Sequence, residues 1–356
     1  FFHNLYCNKM ISEFNFFSEL SFLIKNKDPF IVFKKPSHNK IVCFQGKISY
    51  LPLDLINQQK GFILMPFDSQ LNGLILTPSK ITETEFKLDR NIEINSKIKI
   101  DDFSPKKAPY IKSVKNALNH IKSTELEKVV CSSTFSITVD SEKNIEYFKK
   151  LIQLNNDAFC YFFHDPLTGI WMGASPEKLI SLNNGVLSTC ALAATKKDIN
   201  ESWGDKEFRE QKIVEEQIIK DLKGTCSDIE AGILQTVKAG SLFHLKTMLK
   251  ANTTHRSKTL IDKIHPTPAV AGTPKDLALK YINNSENYDR SFYTGYIGFI
   301  DDYECDIYVN IRCAQISDDQ LTIYVGGGIT QESNPEDEWG EIINKSQIML
   351  NVFHEI

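Results

Sequence analysis

Apolar residues in this chain come in short runs separated by polar turns, and the period of those runs changes along its length. In the first 110 residues, Ile31-Val32-Phe33, Ile41-Val42-Cys43-Phe44, Gly61-Phe62-Ile63-Leu64-Met65-Pro66-Phe67 and Leu74-Ile75-Leu76 predict strands of a mostly antiparallel sheet. From Tyr110 the apolar positions fall three and four apart, through Val114, Leu118 and Ile121, which predicts a helix ending before Ser123-Thr124. Residues 126–132 read as a strand carrying Lys128 on the same face as Val130 and Ser132. A short helix over 145–154 follows. The runs 158–163 and 169–174, joined by Asp165-Pro166-Leu167-Thr168-Gly169, then predict a hairpin that leads into Ser175-Pro176-Glu177.

The second half alternates more strongly between the two periods. Residues 187–195 form a small-residue strand ending at Thr195. Residues 205–222 form an amphipathic helix with Phe208, Val214, Ile218 and Leu222 on one side and Glu210 at its flank. His244 lies in an apolar run over 241–247, and a proline-punctuated loop over 265–276 offers Thr273 and Pro274 as N-cap and first turn of a helix through Tyr281. Strands are predicted at 292–300, 306–316 and 321–325, and alternation in the second puts Asp306, Tyr308, Asn310 and Arg312 on one side. Gly326-Gly327-Gly328 then read as a turn, with Asn334 and Pro335 as cap and first position of a last helix.

Composition narrows the class. With 356 residues, 42% hydrophobic and 24% charged, the chain is an ordinary globular one with no call for disorder. A net charge of −4 and a pI near 6.1, without a dense Lys/Arg tract, argue against nucleic acid as a partner. The eight cysteines include no Cys-x-x-Cys pair, so neither a zinc cage nor a disulfide framework is expected, and a reducing cytoplasm fits. No apolar run approaches the ~18 residues that span a bilayer, and the opening residues lack the grammar of a signal peptide. A membrane partner is therefore not expected. The first residue is Phe, so a natural start upstream is expected.

Several positions carry candidate chemistry. On the last helix Glu338, Glu341 and Lys345 share one stripe, aimed at the space the glycines leave, which suits an acidic ligand together with a hard cation. A solvated charged face accounts for the same stripe without any ligand. Lys128 is either an edge-strand guard or a base desolvated by its β-branched neighbours. Glu177 is either a helix N-terminal acid or a general acid in apolar surroundings. His244 reads as a satisfied core residue, and Arg312 as a bidentate carboxylate holder. The loop at 265–276 is no P-loop, because Gly-Lys-Ser/Thr is absent.

Taken together, LEKVVCS, GASPEKL, the Leu192-Ala193-Ala194-Thr195 strand end, the Glu210 helix, LFHLKT, IHPTPAVAGTP, DRSFYTGYIGF, YVNIRCAQI and YVGGGIT…NPEDEWGEIINK resemble the chorismate-utilising enzymes, most of all the isochorismate synthases. The resemblance covers roughly 115–353. It implies an α+β fold of two packed antiparallel β-sheets with helices on the outside, as one domain over 1–356 whose first 110 residues are variable and whose 115–353 part is catalytic. It implies a monomeric, magnesium-dependent enzyme acting on chorismate. By motif position Lys128 is similar to the base that activates water for attack at C2, and Glu177 to the acid that protonates the departing C4 hydroxyl. Glu210 and Glu341 match the magnesium ligands, with Glu338 close by and acting through water. Thr195, His244, Tyr293, Arg312, Gly326, Gly328 and Lys345 match substrate-binding positions.

Relatives that attach nitrogen through a lysine carry it where this chain has Ala193, so direct attack by a small nucleophile is expected. Four positions depart from the family pattern: Ser133 for Arg, Ala194 for Gly, Gln211 for His and Ser291 for Glu. Isochorismate formation for menaquinone or siderophore biosynthesis is the first expectation. Salicylate synthase, which also eliminates pyruvate, and a weakened ligand-binding paralogue are the alternatives, and the short N-terminal region disfavours anthranilate synthase.

Overall fold

The computed structural model describes residues 9–56, 59–88, 104–239 and 242–353. Its first third comprises β1 (Lys9–Met10), α1 (Glu13–Lys25), β2 (Phe30–Lys34), β3 (Lys40–Leu51), α2 (Leu53–Ile56), β4 (Gly61–Met65), β5 (Gly73–Glu85) and α3 (Ser104–Ser123). The middle comprises β6 (Lys128–Thr138), α4 (Asn144–Leu154), β7 (Phe159–Asp165), β8 (Gly169–Ser175), β9 (Lys178–Asn183), β10 (Val186–Lys196), α5 (Asp205–Leu222), β11 (Ser227–Ala231), β12 (Gln235–Ala239) and β13 (Leu242–Asn252). The last part holds α6 (Ser257–Ile264), β14 (Gly272–Thr273), α7 (Lys275–Ser285), β15 (Tyr296–Ile300), β16 (Cys305–Val309), β17 (Cys313–Ser317), β18 (Gln320–Thr330) and α8 (Pro335–Phe353).

Hydrogen bonding arranges the strands in two layers. One runs β14-β6-β18-β17-β8-β7-β2-β3-β5-β1. The other runs β5-β4-β15-β16-β9-β10-β13, with β11 and β12 in line along the far edge of β13. The long β3–β5 pair belongs to both and turns the sheet over at a register shift between Gln45 and Gly46. All of these pairings are antiparallel except the two-residue β1–β5 contact.

Three apolar layers follow. Between the sheets lies an aromatic layer that includes Phe33, Phe44, Phe62, Phe159, Tyr161, Phe163, Trp171 and Tyr308. The outer face of the first sheet is covered by α1, α3, α4, α7 and α8, and that of the second by α2, α5 and α6. Strands such as β2, β4 and β7 are thus buried on both faces, which is why they read as continuous apolar runs. Along β7, Phe159, Tyr161 and Phe163 face the other sheet while Cys160 and Phe162 face the helices. The expected two-sheet α+β architecture is the one observed. No helix among the described residues is long and apolar enough to cross a membrane.

Five local expectations fail, each for a physical reason. The run 292–300 is a strand only from Tyr296, because its first residues turn, with the Gly295 N–H donating to Phe292 O at 3.1 Å. The run 306–316 is not one strand. Asn310, fully buried, donates to Phe292 O at 2.8 Å and accepts from the Tyr161 hydroxyl at 2.6 Å, and the backbone turns so that Arg312 takes φ 51°. The glycine triplet is not a turn, because each glycine pairs with β6 in a ladder that continues to Thr330 opposite Lys128. Thr273 does not cap α7; it pairs with Lys128, and Pro274 stands at the cap without a side-chain hydrogen bond. Phe208 is 44% exposed while Val214, Ile218 and Leu222 are buried, so the apolar side of α5 packs only from Val214 onward.

Candidate active site

Two chain crossings between the layers create the site. Glu177 lies on the short link from β8 of the first sheet to β9 of the second, and Arg312 on the link from β16 of the second back to β17 of the first. The links are tied together: the Val309 N–H donates to Glu177 O at 3.0 Å, and the Ala174 N–H donates to Arg312 O at 3.0 Å. Ser175 fixes the turn by donating from its hydroxyl to Val309 O at 2.6 Å. Glu177 is therefore no helix N-terminal acid. It is 4% exposed, and burial raises its carboxyl to about 7 against the opposing pull of Lys128, Arg312 and Lys345.

Beside these links opens a cavity that is partly continuous with solvent. Ten of the anticipated site residues line it: Glu177, Thr195, Glu210, His244, Tyr293, Arg312, Gly326, Gly328, Glu341 and Lys345. Lys128 and Glu338 are not among the lining residues. Lys128 is fully buried as the first residue of β6, held between Thr330 and Thr273, and its Nζ donates to Glu210 Oε1 at 2.9 Å. That ion pair needs Gly328: a Cβ there would sit 2.7 Å from both Glu210 Oε1 and Lys128 Cε. Gly326 similarly gives way to Tyr293, whose hydroxyl would be 2.9 Å from a Cβ.

The stripe on α8 forms as expected. Asn334 Oδ1 accepts from the Glu336 N–H at 2.9 Å, which starts the helix. Lys345 Nζ then reaches Glu341 Oε1 at 2.7 Å and Gly326 O at 3.2 Å. Glu338, 1% exposed, receives Lys206 Nζ at 2.8 Å on Oε1. Each of the three carboxylates thus has one lysine: Glu210 with Lys128, Glu341 with Lys345, Glu338 with Lys206.

The electrostatics follow from this pairing. Burial raises Glu338, and repulsion from Glu341 adds to it, while Lys206 and Ser333 oppose. For Glu210 burial also raises, but Lys128 outweighs it and the net is downward. Burial pulls Lys206 down, yet Glu338 overrides it and pushes the ammonium up to about 12. Lys345 likewise ends above its usual range, because Glu341 outweighs burial.

Opposite the carboxylates, His244 is more than a satisfied core residue. Its Nδ1–H donates to Ala194 O at 2.8 Å, which leaves Nε2 to accept from Arg312 Nη2 at 2.5 Å. Burial, with Arg312 second, holds the imidazole well below its usual range, so it stays neutral and can accept. Arg312 Nη1 donates to Ala239 O at 3.0 Å, and burial lowers the guanidinium to about 10. Ala194, one of the four departures, has φ 63°, a left-handed value that glycine adopts without strain. Gln211, another departure, donates to Thr247 Oγ1 at 2.7 Å and to Glu215.

Two contributions were missed from sequence. Lys206 was readable in principle, since a cation in the first turn of a helix opposes the dipole and stands one turn before Glu210. Arg290, 3% exposed, binds Glu286, Val270 O and Val130 O, and so ties the 265–274 loop to β6 behind Lys128. Glu286 stands only four residues before it, but Val270 and Val130 lie 20 and 160 positions away and leave no local signal.

Similarity to known proteins agrees with this geometry. The chain is 29% identical over 270 residues to the isochorismate synthase DhbC of Bacillus subtilis (strain 168), an alignment covering 69% of this chain and 68% of that one. A solved structure of a 2,3-dihydroxybenzoate-specific isochorismate synthase from Bacillus anthracis matches with TM-score 0.78 at 24% identity, covering 94% of this chain and 99% of the other. The menaquinone-specific isochorismate synthase MenF from Escherichia coli matches with TM-score 0.79 at 21% identity, covering 94% and 91%. The family model described as chorismate binding enzyme matches residues 69–354. This chain belongs to the chorismate-binding enzymes.

Proposed function

We propose that this chain is an isochorismate synthase, which adds water at C2 of chorismate and releases the C4 hydroxyl as water. The observation that carries the reading is Glu177, a buried carboxyl raised to about 7 in a cavity that also holds Arg312 and Lys345. Such a group is protonated often enough near neutral pH to donate, and acidic enough to do so readily. Glu177 gives its proton to the departing C4 hydroxyl. Lys128 acts as base in its neutral amine form: it exchanges its contact with Glu210 for the attacking water, accepts that water's proton, and returns it to solvent as Glu177 is reprotonated between turnovers. One water enters, one leaves, and the ring double bonds shift between.

Arg312, aimed by His244, and Lys345 supply the cations for the substrate's two carboxylates. Thr195, Tyr293, Gly326 and Gly328 border the ring. Ala193 lines the cavity with no amine, which favours water as the nucleophile.

The donor set also fits a magnesium ion. Glu210, Glu338 and Glu341 offer the oxygen ligands this hard cation prefers, and each carboxylate now holds a lysine ammonium where a cation would stand. A bound cation would neutralise the ring carboxylate and tether it. Among the described residues no three such side chains stand close enough to hold an ion as they are, so the carboxylates would leave their lysines to converge.

Incubating the purified protein with chorismate and Mg2+ and identifying the product tests the reading. Isochorismate is expected. Pyruvate release would favour a salicylate synthase, ammonia incorporation an anthranilate synthase, and binding without turnover a ligand-binding paralogue. Lys128→Ala and Glu177→Gln should each abolish conversion, and normal activity in either would remove that residue from its role. Likeness to DhbC and MenF supports siderophore or menaquinone biosynthesis as the destination of the product.

A further inference from the structure

Gly326 and Gly328 face the cavity, but Gly327, between them, faces the helices. A Cβ there would lie 3.2 Å from the Tyr110 hydroxyl and 3.3 Å from Glu338 Oε2. These are two buried polar atoms with no hydrogen-bond partner among the described residues, on side chains of residues 3% and 1% exposed. They border the same small space from two helices, α3 and α8. The Tyr110 ring is fixed there beside Trp339, with centroids 6.0 Å apart. The Ser333 hydroxyl, which accepts from the Thr330 N–H at 3.2 Å, lies near enough to Glu338 to oppose its rise but outside hydrogen-bond geometry with Oε2.

A phenylalanine would pack against Trp339 as well as a tyrosine, without burying a hydroxyl that lacks a partner. A lone acceptor and a lone donor beside one glycine complement each other. We propose that Tyr110 is a positioning residue for the cation site: its hydroxyl is the donor for Glu338 Oε2, reached by a small rotation of the carboxylate or through one water, and it aims the other oxygen at the metal. The inference rests on the magnesium reading above. It gives Gly327 a role distinct from its neighbours, that of leaving room for this hydrogen bond, and it draws α3 into the site from outside the motifs that marked the family.

At present Lys206 occupies Oε1. A cation must take that oxygen from the lysine, and a carboxylate already held at Oε2 loses less freedom in the exchange. Partners of this kind, which orient a metal-binding carboxylate without touching the ion, typically contribute about 10- to 100-fold to metal affinity.

The test is Mg2+ titration of the substrate-free protein by calorimetry, together with the Mg2+ dependence of its thermal midpoint, in wild type, Tyr110→Phe and Gly327→Ala. Tyr110→Phe should weaken Mg2+ binding about tenfold. Its kcat at saturating Mg2+ should stay near wild type and its metal-free midpoint should be equal or higher, a split that a merely structural tyrosine would not produce. Gly327→Ala, which puts a methyl within 3.3 Å of both oxygens, should weaken Mg2+ in the same way. If wild type binds Mg2+ and Tyr110→Phe binds it equally well, this inference is wrong while the magnesium reading stands. If wild type shows no Mg2+ binding, both fall.

Discussion

Glu177 is the residue whose protonation most directly links fold and chemistry. Its folded value of about 7 lies above the ordinary 4.5, so between those values the folded protein binds more protons than the unfolded chain. Its stabilising share is therefore complete below about pH 4.5 and is lost as pH rises through 7. Glu177→Gln, which removes the titration, should be more stable than wild type at pH 8 by at most about 3 kcal/mol, and the gap should close near pH 4.5; denaturant melts at the two pH values read this out. Wild-type kcat/KM should fall above pH 7 as the acid form is lost. Ala194 allows a second residue-scale prediction. At an ordinary strand position a glycine costs roughly 0.5–1 kcal/mol, but Ala194 sits at φ 63°, so Ala194→Gly should leave the melting midpoint unchanged or raise it.

At the scale of elements, β18 carries the tightest constraint. Gly328→Ala would drive a methyl into the Lys128–Glu210 pair and force both side-chain ends to shift. The variant should keep its fold, with an unchanged circular dichroism spectrum, and lose about 100-fold in kcat/KM, the scale at which a displacement of about 1 Å is felt. The elements themselves were largely legible. The hairpin of β7 and β8 announced itself because both strands are buried on two faces, and α5 and α8 because a 3.6 period and the Asn334-Pro335 cap are local signals. What was not legible depended on distant partners. The break between β16 and β17 follows from the burial of Asn310 against Phe292 and Tyr161, and the glycine triplet is held in a strand only by its ladder with β6. The pairing of Lys206 with Glu338 spans 132 positions, beyond any periodicity.

For the whole molecule, the site sits where the chain passes between its two layers. The first sheet supplies Lys128 and the glycines, the second supplies Thr195 and His244, and the two links carry Glu177 and Arg312. The N-terminal strands are integral to both layers, since β2 pairs with β7 and β4 with β15. This explains why a third of the chain without catalytic residue types is still part of the enzyme's frame. Under the proposed mechanism, base and acid come from different segments: Glu177 lines the cavity, and Lys128 stands behind Glu210, which lines it. The most direct test is turnover of chorismate in 18O-labelled water, with early product analysed by mass spectrometry. Isochorismate carrying one 18O at C2, formed by wild type and not by Lys128→Ala or Glu177→Gln, is the predicted result; unlabelled isochorismate, or labelled product from either variant at the wild-type rate, would contradict the account.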